Sequence, residues 1–149
     1  MVGMSKEKAY GLCIYKIKNK SIKILLCKSV NSKEKWGFLK GIAFKYEQHK
    51  RCAQREFFEE SSIFVHLEAY EEYFEQINPT KDVGIWLVNY NNVEEIEDYF
   101  FEEVLGSNYL SKENSKVKFF DIDNLPKIRS KQEKIVKEIR AFLKKKGEK

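Results

Sequence analysis

Cysteine, proline, glycine and histidine are all scarce in this chain of 149 residues, and it has no long apolar segment. The three cysteines, Cys13, Cys27 and Cys52, are odd in number and widely spaced, which argues for reduced thiols rather than a disulfide framework. With only two histidines and no paired-cysteine spacing, a structural zinc site is not expected. No apolar run approaches the roughly 20 residues that span a bilayer, and the segment MVGMSKEK lacks the apolar stretch of a signal peptide. We therefore expect a cytoplasmic protein without membrane contact.

The composition is that of a folded globular protein. Hydrophobic residues make up 42% and charged residues 34% of the sequence, and no linker or repeat interrupts it. The length suits one domain, which we place at residues 1–149. The net charge of +5 favours a phosphate-bearing substrate only weakly, because a well-solvated surface is the commoner meaning of a mild excess of lysine.

Hydrophobic periodicity predicts both strands and helices along the chain. Strands are expected at 9–17, from 21 onward, at 63–67, 70–77, 83–90 and 116–122, with a loop at 29–41. Helices are expected at 48–60, at 93–105 as an acidic segment ended by Gly106, and from Ser130, whose spacing to Glu133 predicts a capping box. Strands interspersed with a few helices indicate an α+β or mixed α/β layered fold.

Three glutamates on the first predicted helix carry the strongest chemical signal. Glu56, Glu59 and Glu60 are spaced i, i+3 and i+4, so their carboxylates share one helix face. Like charges at that spacing destabilise a helix, whereas a hard divalent cation removes the repulsion and prefers oxygen ligands. Arg55, four residues before Glu59, can hold that carboxylate in a fixed orientation. The alternative is a charged, solvated helix face, because glutamates are good helix formers.

The wider spacing of this segment decides between the two interpretations. It resembles the Nudix signature G-x5-E-x7-R-E-U-x-E-E-x-G-U, in which U is bulky and apolar. The matching positions are Gly41, Glu47, Arg55, Glu56, Glu59, Glu60 and Ile63. The second glycine is replaced by Ser62. By this resemblance the chain is identified as a member of the Nudix hydrolase superfamily.

Shorter matches flank the signature and resemble the diadenosine tetraphosphate hydrolase branch of that superfamily. That branch carries a Trp shortly before Pro-Lys-Gly, and Trp36, Lys40 and Gly41 occupy these positions with Leu39 in place of the proline. The run LSKENSKVKFFDIDNLPKI is similar to the branch's late segment, in which a glutamate follows Leu-Ser-x. KDVGIWLV is similar to a strand preceded by a phosphate-binding lysine. The two residues concerned are Glu113 and Lys81, and the resemblance extends from about residue 9 to residue 142.

The resemblance implies a Nudix-type α/β/α sandwich, with a mixed sheet and a loop-helix-loop catalytic segment. It implies that Mg2+, with Mn2+ as a substitute, is held by Glu56, Glu59, Glu60 and the Gly41 carbonyl. Glu56 and Glu113 are alternative general bases, and Glu113 is alternatively an additional metal ligand or a surface glutamate. Arg55 belongs to the same catalytic set.

Substrate contacts are expected from Lys40 and Lys81, which can bind phosphates as point charges, although a plain solvated lysine is an equally good interpretation of each. Phe74, Trp86 and Tyr90 are candidates to stack on a base, a contact worth about 1–3 kcal/mol. Aromatic side chains in strands are more often part of the core. Phe74 is the preferred candidate, because the resembled branch carries a stacking aromatic at about that place.

Departures from the pattern lie in the loops and leave every predicted metal ligand in place. Ser62 stands where the family has a glycine that supplies a left-handed conformation, and a non-glycine residue there costs roughly 1 kcal/mol. Tyr46 replaces the usual glycine before Glu47. The acidic segment 93–105 looks like an insertion relative to the branch and could border the substrate pocket. We therefore expect these differences to affect substrate fit rather than metal chemistry.

The predicted function is Mg2+-dependent hydrolysis of a phosphoanhydride bond in a nucleoside polyphosphate, with a dinucleoside polyphosphate such as diadenosine tetraphosphate preferred. Removal of pyrophosphate from an RNA 5′ end and hydrolysis of nucleoside triphosphates are alternatives within the same chemistry. A catalytically silent Nudix-like domain that binds nucleotides or a protein is the alternative from another class. The sequence does not specify an oligomeric state.

Overall fold

The computed structural model describes residues 6–31 and 34–148. Their secondary structure consists of eight strands and two α-helices, joined by loops and short 3-10 turns. The strands are β1 (Glu7–Lys18), β2 (Ser21–Ser29), β3 (Leu39–Ile42), β4 (Tyr70–Gln76), β5 (Lys81–Asn89), β6 (Phe100–Phe101), β7 (Val104–Leu105) and β8 (Asn114–Asp121). The helices are α1 (His49–Ser61) and α2 (Glu133–Gly147).

The strands form one mixed sheet in the order β4-β5-β1-β2-β8-β7-β6, with β3 pairing to β1 off this path. Strand β1 is central: it is parallel to β5, while its first half is antiparallel to β3 and its second half antiparallel to β2. This arrangement places β3, which carries Lys40 and Gly41, next to the middle of the sheet.

Each face of the sheet is covered by one helix. On the α1 face, Leu12 and Ile14 of β1 pack in one core cluster with Ala53 and Phe57 of α1. On the other face, Tyr15 and its neighbours pack with the buried stripe of α2, which is Ile135, Ile139 and Leu143. Successive β1 side chains thus enter opposite layers, as strand geometry requires. The predicted α/β/α sandwich with a mixed sheet is confirmed.

The predicted strand at 63–67 is wrong, although Ile63 and Val65 are buried. Side chains satisfy the backbone of this segment in place of a neighbouring strand: Ser61 Oγ accepts from the Ile63 amide at 3.1 Å, and Gln54 Nε2 donates to the Val65 carbonyl at 2.8 Å. Ile63 and Val65 are buried because they pack in the same core cluster as α1. Their alternating spacing therefore reflects burial and not a strand.

The predicted acidic helix at 93–105 is also wrong. The segment contains a 3-10 turn, Ile96–Tyr99, followed by the short β6–β7 hairpin. Glu95 and Glu102 adopt positive φ angles of 55° and 59°, which a continuous right-handed helix excludes. Glu103 anchors the hairpin through ion pairs with Lys16 at 2.9 Å and Lys23 at 3.2 Å, on the hairpin end of β1 and β2.

Two smaller predictions also need correction. The loop expected at 29–41 includes positions 32 and 33, which lie outside the described residues, but its last residues belong to β3. At the C-terminal helix, Ser130 begins a 3-10 turn and α2 begins at Glu133, without a side-chain cap hydrogen bond, so the capping box is absent. Within the described part of the chain, no helix is long and apolar enough to cross a membrane.

Candidate active site

The four predicted carboxylates line one cavity of about 460 Å3 between β3, α1 and the start of β8. Glu56, Glu59 and Glu60 come from α1, and Glu113 comes from the residue before β8. Lys40, Gly41 and Arg55 also line this space. The fold therefore brings together residues that are separated by up to 73 positions in the sequence.

Gly41 lets a carboxylate lie directly against the backbone of β3. A Cβ atom added at position 41 would overlap the carboxylate of Glu56. The Gly41 carbonyl accepts a weak hydrogen bond from Cys52 Sγ at 3.5 Å. The close approach of the Glu56 carboxylate therefore depends on glycine at this position, as the sequence pattern suggested.

Arg55 organises the acidic side chains around it. Its Nε and Nη2 donate to the two oxygens of Glu47 at 2.8 and 2.9 Å, a bidentate pair, and its Nη1 lies 3.3 Å from Glu59. Arg55 Nη2 also donates to the Ile42 carbonyl at 3.2 Å, and the guanidinium carbon lies 3.8 Å from the centre of the Phe44 ring. The predicted pairing with Glu59 is present, but Glu47 is the closer partner.

The hydrogen bonds from Arg55 keep Glu47 ionised, because they hold the pKa of that carboxyl below its usual value. Arg55 thus ties the loop that precedes α1 to the middle of the helix. Sequence reasoning recognised both positions as part of the signature but did not pair them. An eight-residue spacing across a helix start does not reveal such a contact.

Glu60 is held by a partner that the sequence did not indicate. Its Oε1 accepts a hydrogen bond from Asn114 Nδ2 at 2.9 Å, and the two residues are only 8% and 7% exposed. Burial is the main reason why the pKa of Glu60 rises to about 8. The hydrogen bond from Asn114 and the charge of Lys40 oppose this rise, while Glu56 and Glu113 add to it. Asn114 is a positioning residue for this carboxylate.

Glu56 experiences similar crowding. Its burial, followed by a hydrogen bond and charge repulsion from Glu59, raises its pKa to about 7, although the nearby Arg55 opposes the shift. Arg55 Nη1 lies 3.5 Å from the carboxylate. Two neighbouring carboxyl groups on α1 therefore sit where negative charge is disfavoured without an added cation.

Among the described residues, no three acidic, histidine or cysteine side chains are already arranged as a metal-binding group. Glu59 accepts a hydrogen bond from Arg55, and Glu60 accepts one from Asn114. The donor chemistry nevertheless fits a hard divalent cation, since the cavity offers carboxylate oxygens and the nearby backbone of β3. Ser111 Oγ, in the same cavity, is shielded from solvent and lacks a hydrogen-bond partner among the residues described.

The two predicted phosphate-binding lysines lie close to each other, but Lys40 lines the cavity of the carboxylates and Lys81 does not. Lys40 is in β3 and Lys81 begins β5. Burial, followed by the charges of Lys81 and Arg129, lowers the pKa of Lys40 to about 8, while Glu60 opposes the shift. Lys40 therefore lies between the carboxyl group of Glu60 and the cations of Lys81 and Arg129.

The three aromatic candidates have different surroundings. Phe74 lies on the α2 face, where its ring is 5.7 Å from that of Phe142, and it does not line the acidic cavity. Trp86 is buried among Tyr10, Tyr70 and Tyr73. Tyr90 packs against Phe119. Phe74 lines a surface cleft together with Phe142, and Trp86 lines a different one beside Glu47 and His49.

Both replaced glycines adopt the left-handed backbone that the family pattern implies. Ser62 ends α1 with φ 67° and ψ 6°, and its amide donates to the Phe58 carbonyl. Tyr46 has φ 70°. Ser62 gains a hydrogen bond to the Tyr109 carbonyl at 3.2 Å, whereas Tyr46 is 91% exposed. Leu39, at the position of the missing proline, is buried in β3 opposite Leu12.

Replacing Tyr46 with glycine is expected to stabilise the protein by about 1 kcal/mol, because glycine adopts a positive φ without the steric cost that other residues meet. Urea unfolding would measure the change. Tyr46→Ala is the matched control: it removes the ring but keeps Cβ, so it should give no such gain. Equal stability changes for the two variants would contradict the backbone explanation.

Comparisons with known proteins agree with this architecture. Residues 6–142 match the model of the NUDIX domain, and the chain belongs to this family. The family assignment confirms the enzyme class predicted from the sequence, a Nudix pyrophosphohydrolase. No curated protein matches the sequence.

Solved structures share the fold at low sequence identity. An Ap4A hydrolase from C. elegans, in a binary complex, has a TM-score of 0.60 and 22% identity over 92% of this chain and 97% of that one. A NUDIX hydrolase from Nitrosomonas europaea has a TM-score of 0.62 and 19% identity over 99% of this chain and 73% of that one. The NUDIX domain of Shewanella oneidensis NrtR, complexed with ADP ribose, has a TM-score of 0.66 and 11% identity over 95% and 90%.

Proposed function

We propose that this protein is a Mg2+-dependent hydrolase that cleaves a phosphoanhydride bond in a nucleoside polyphosphate, with a dinucleoside polyphosphate as its preferred substrate. The observation that carries the proposal is the single cavity shared by Glu56, Glu59, Glu60 and Glu113, with Lys40 at its wall. A cation bound among these carboxylates would relieve their repulsion and attract phosphate oxygens to the same place.

The metal would be held by Glu56, Glu59, Glu60 and the Gly41 carbonyl, and Mn2+ can substitute for Mg2+. When bound, the ion supplies positive charge against the phosphate oxygens and favours attack by water. Arg55 fixes the orientation of the glutamates, and Asn114 holds Glu60. Lys40 and Lys81 bind phosphate oxygens of the substrate.

Glu113 is our choice as the residue that takes the proton from the attacking water. Glu56 is engaged by Arg55 and Glu59, whereas no hydrogen bond or ion pair within the described residues holds the Glu113 carboxylate. A general base must be free to reach the water and return the proton afterwards. Glu113 lines the cavity opposite the helix and meets this requirement better than Glu56.

We prefer a dinucleoside polyphosphate because the α2 face of the sheet carries an aromatic cleft that can receive a second base. Phe74 and Phe142 form an edge-to-face pair at this cleft, next to Tyr73. A base stacked there would be worth about 1–3 kcal/mol. The similarity of fold to an Ap4A hydrolase supports the same choice.

A substrate panel tests the proposal. The protein is incubated with Mg2+ and, separately, diadenosine tetraphosphate, triphosphorylated RNA, nucleoside triphosphates or nucleotide sugars, and products are identified by chromatography. We expect the fastest turnover with diadenosine tetraphosphate and none in EDTA. Faster removal of pyrophosphate from RNA would reassign the substrate. No turnover of any member would favour the silent, binding-only alternative.

A further inference from the structure

A buried guanidinium beside the acidic cavity has donors without partners. Arg129 Nε and Nη2 are both shielded from solvent and lack any hydrogen-bond partner among the described residues. The backbone around this residue is fixed, because its amide donates to the Trp36 carbonyl at 3.0 Å. A buried donor without an acceptor costs free energy, so two such donors on one side chain are unusual in a folded protein. A bound ligand that accepts their hydrogen bonds would remove this cost.

Arg129 lines a second cavity, of about 280 Å3, whose charged lining is entirely cationic within the described part of the chain. The side chains that supply this charge are Lys35, Lys40, Lys81, Arg129 and Lys131. Lys131 contacts Thr80 Oγ1 at 3.3 Å. Like charges gathered in one cavity repel one another, and a polyanion removes that repulsion.

The two cavities share one wall. Lys40 lines both of them, with Glu60 on its acidic side and with Lys81 and Arg129 on its basic side. A polyphosphate whose first phosphates are held by a cation among the carboxylates could therefore extend past Lys40. Its remaining phosphates would then lie in the basic cavity.

We propose that the basic cavity is an anion site for the part of a polyphosphate chain beyond the bond that is cut, and that Arg129 is its main hydrogen-bond donor. Arginine suits this role, because its fixed fork of N–H groups matches phosphate oxygens. The identity of the anion as a substrate rests on the proposed function, whereas the binding of polyphosphate itself does not. The site makes the protein selective for substrates with several consecutive phosphates.

Calorimetric titration of the whole chain with inorganic tripolyphosphate in EDTA tests the site without the metal or turnover. We expect binding by the wild type and weaker binding of pyrophosphate, which offers fewer charged oxygens to the same donors. Arg129→Gln should weaken tripolyphosphate binding roughly 10-fold to 100-fold, the effect of losing a charge-assisted hydrogen bond. Arg129→Lys, which keeps the charge but loses the fork, should weaken it by a smaller factor.

Arg140→Gln is the matched control, since it removes the same charge from a guanidinium that pairs with Asp123 and lines neither cavity. Its affinity for tripolyphosphate should equal that of the wild type. Equal weakening by the two glutamine variants, or no weakening by Arg129→Gln, would overturn the proposal. If Arg129→Gln fails to fold, Lys81→Gln takes its place with the same expectation.

The substrate panel separates this inference from the proposed function. Tripolyphosphate binding that depends on Arg129, in a protein that hydrolyses nothing, would support the anion site and reject the hydrolase. Turnover of diadenosine tetraphosphate without Arg129-dependent binding of tripolyphosphate would support the hydrolase and reject the anion site. If both proposals hold, Arg129→Gln should slow the hydrolysis of diadenosine tetraphosphate more than that of diadenosine triphosphate.

Discussion

Replacing Glu60 with glutamine is expected to reduce Mg2+-dependent turnover by roughly 100-fold to 1,000-fold, the usual cost of removing one group that stabilises charge in the transition state. Glu60 lies in the cavity with the other carboxylates, and a neutral amide cannot serve as an anionic ligand. Steady-state hydrolysis of the best substrate in the panel would measure the loss.

The same variant should be at least as stable as the wild type in EDTA. Glutamine keeps an oxygen that can accept the hydrogen bond from Asn114, and it removes a carboxyl group whose ionisation burial disfavours. A loss of activity together with unchanged or increased stability is the signature of a group retained for function rather than for folding. Urea unfolding in EDTA would supply this second measurement.

Glu68→Gln provides the control, because Glu68 is an exposed glutamate in the turn after α1 and lines neither cavity. It should leave turnover and stability unchanged. If Glu60→Gln turns over substrate at the wild-type rate, Glu60 is not a metal ligand. A large loss of stability in that variant would instead assign it a structural role.

The helix face of three glutamates could be predicted because helical geometry alone converts their spacing into proximity. Gly41 and Arg55 followed from the register of the Nudix pattern. Asn114 and Arg129 could not be found in this way. Each approaches the site from a distant segment, and its position depends on how β8 and the turn before α2 pack against the rest. No local periodicity encodes such contacts.

The two segments that were misassigned share one cause. At 63–67 and 93–105, apolar residues recur at intervals typical of a regular element. Several of these side chains are buried, yet the backbone that carries them is largely irregular. A hydrogen bond donated by Gln54 and one accepted by Ser61 replace a strand partner in the first segment. Left-handed residues at Glu95 and Glu102 interrupt the second. Periodicity reports burial, and burial does not require a regular element.

In EDTA, the free energy of unfolding is expected to fall by about 3–5 kcal/mol as the pH rises from about 5 to about 7.5. The raised pKa values of Glu56, about 7, and Glu60, about 8, are the cause. In this interval the folded protein binds protons that the unfolded chain, with ordinary glutamate pKa values near 4.5, has already released. Stability therefore decreases with pH. The lowered pKa of Lys40 acts in the opposite sense, but only above about pH 8.

Saturating Mg2+ should reduce or abolish this slope. The metal binds the ionised carboxylates, so the stabilisation it provides grows with pH and reaches about 2.7 kcal/mol at 100 times its Kd. Urea unfolding at several pH values, with Mg2+ or with EDTA, would measure both profiles. The double variant Glu56→Gln/Glu60→Gln should show a flatter profile in EDTA and little response to Mg2+. If its slope in EDTA equals that of the wild type, the pH dependence arises elsewhere, and if it still responds fully to Mg2+, the metal is not bound by these two glutamates.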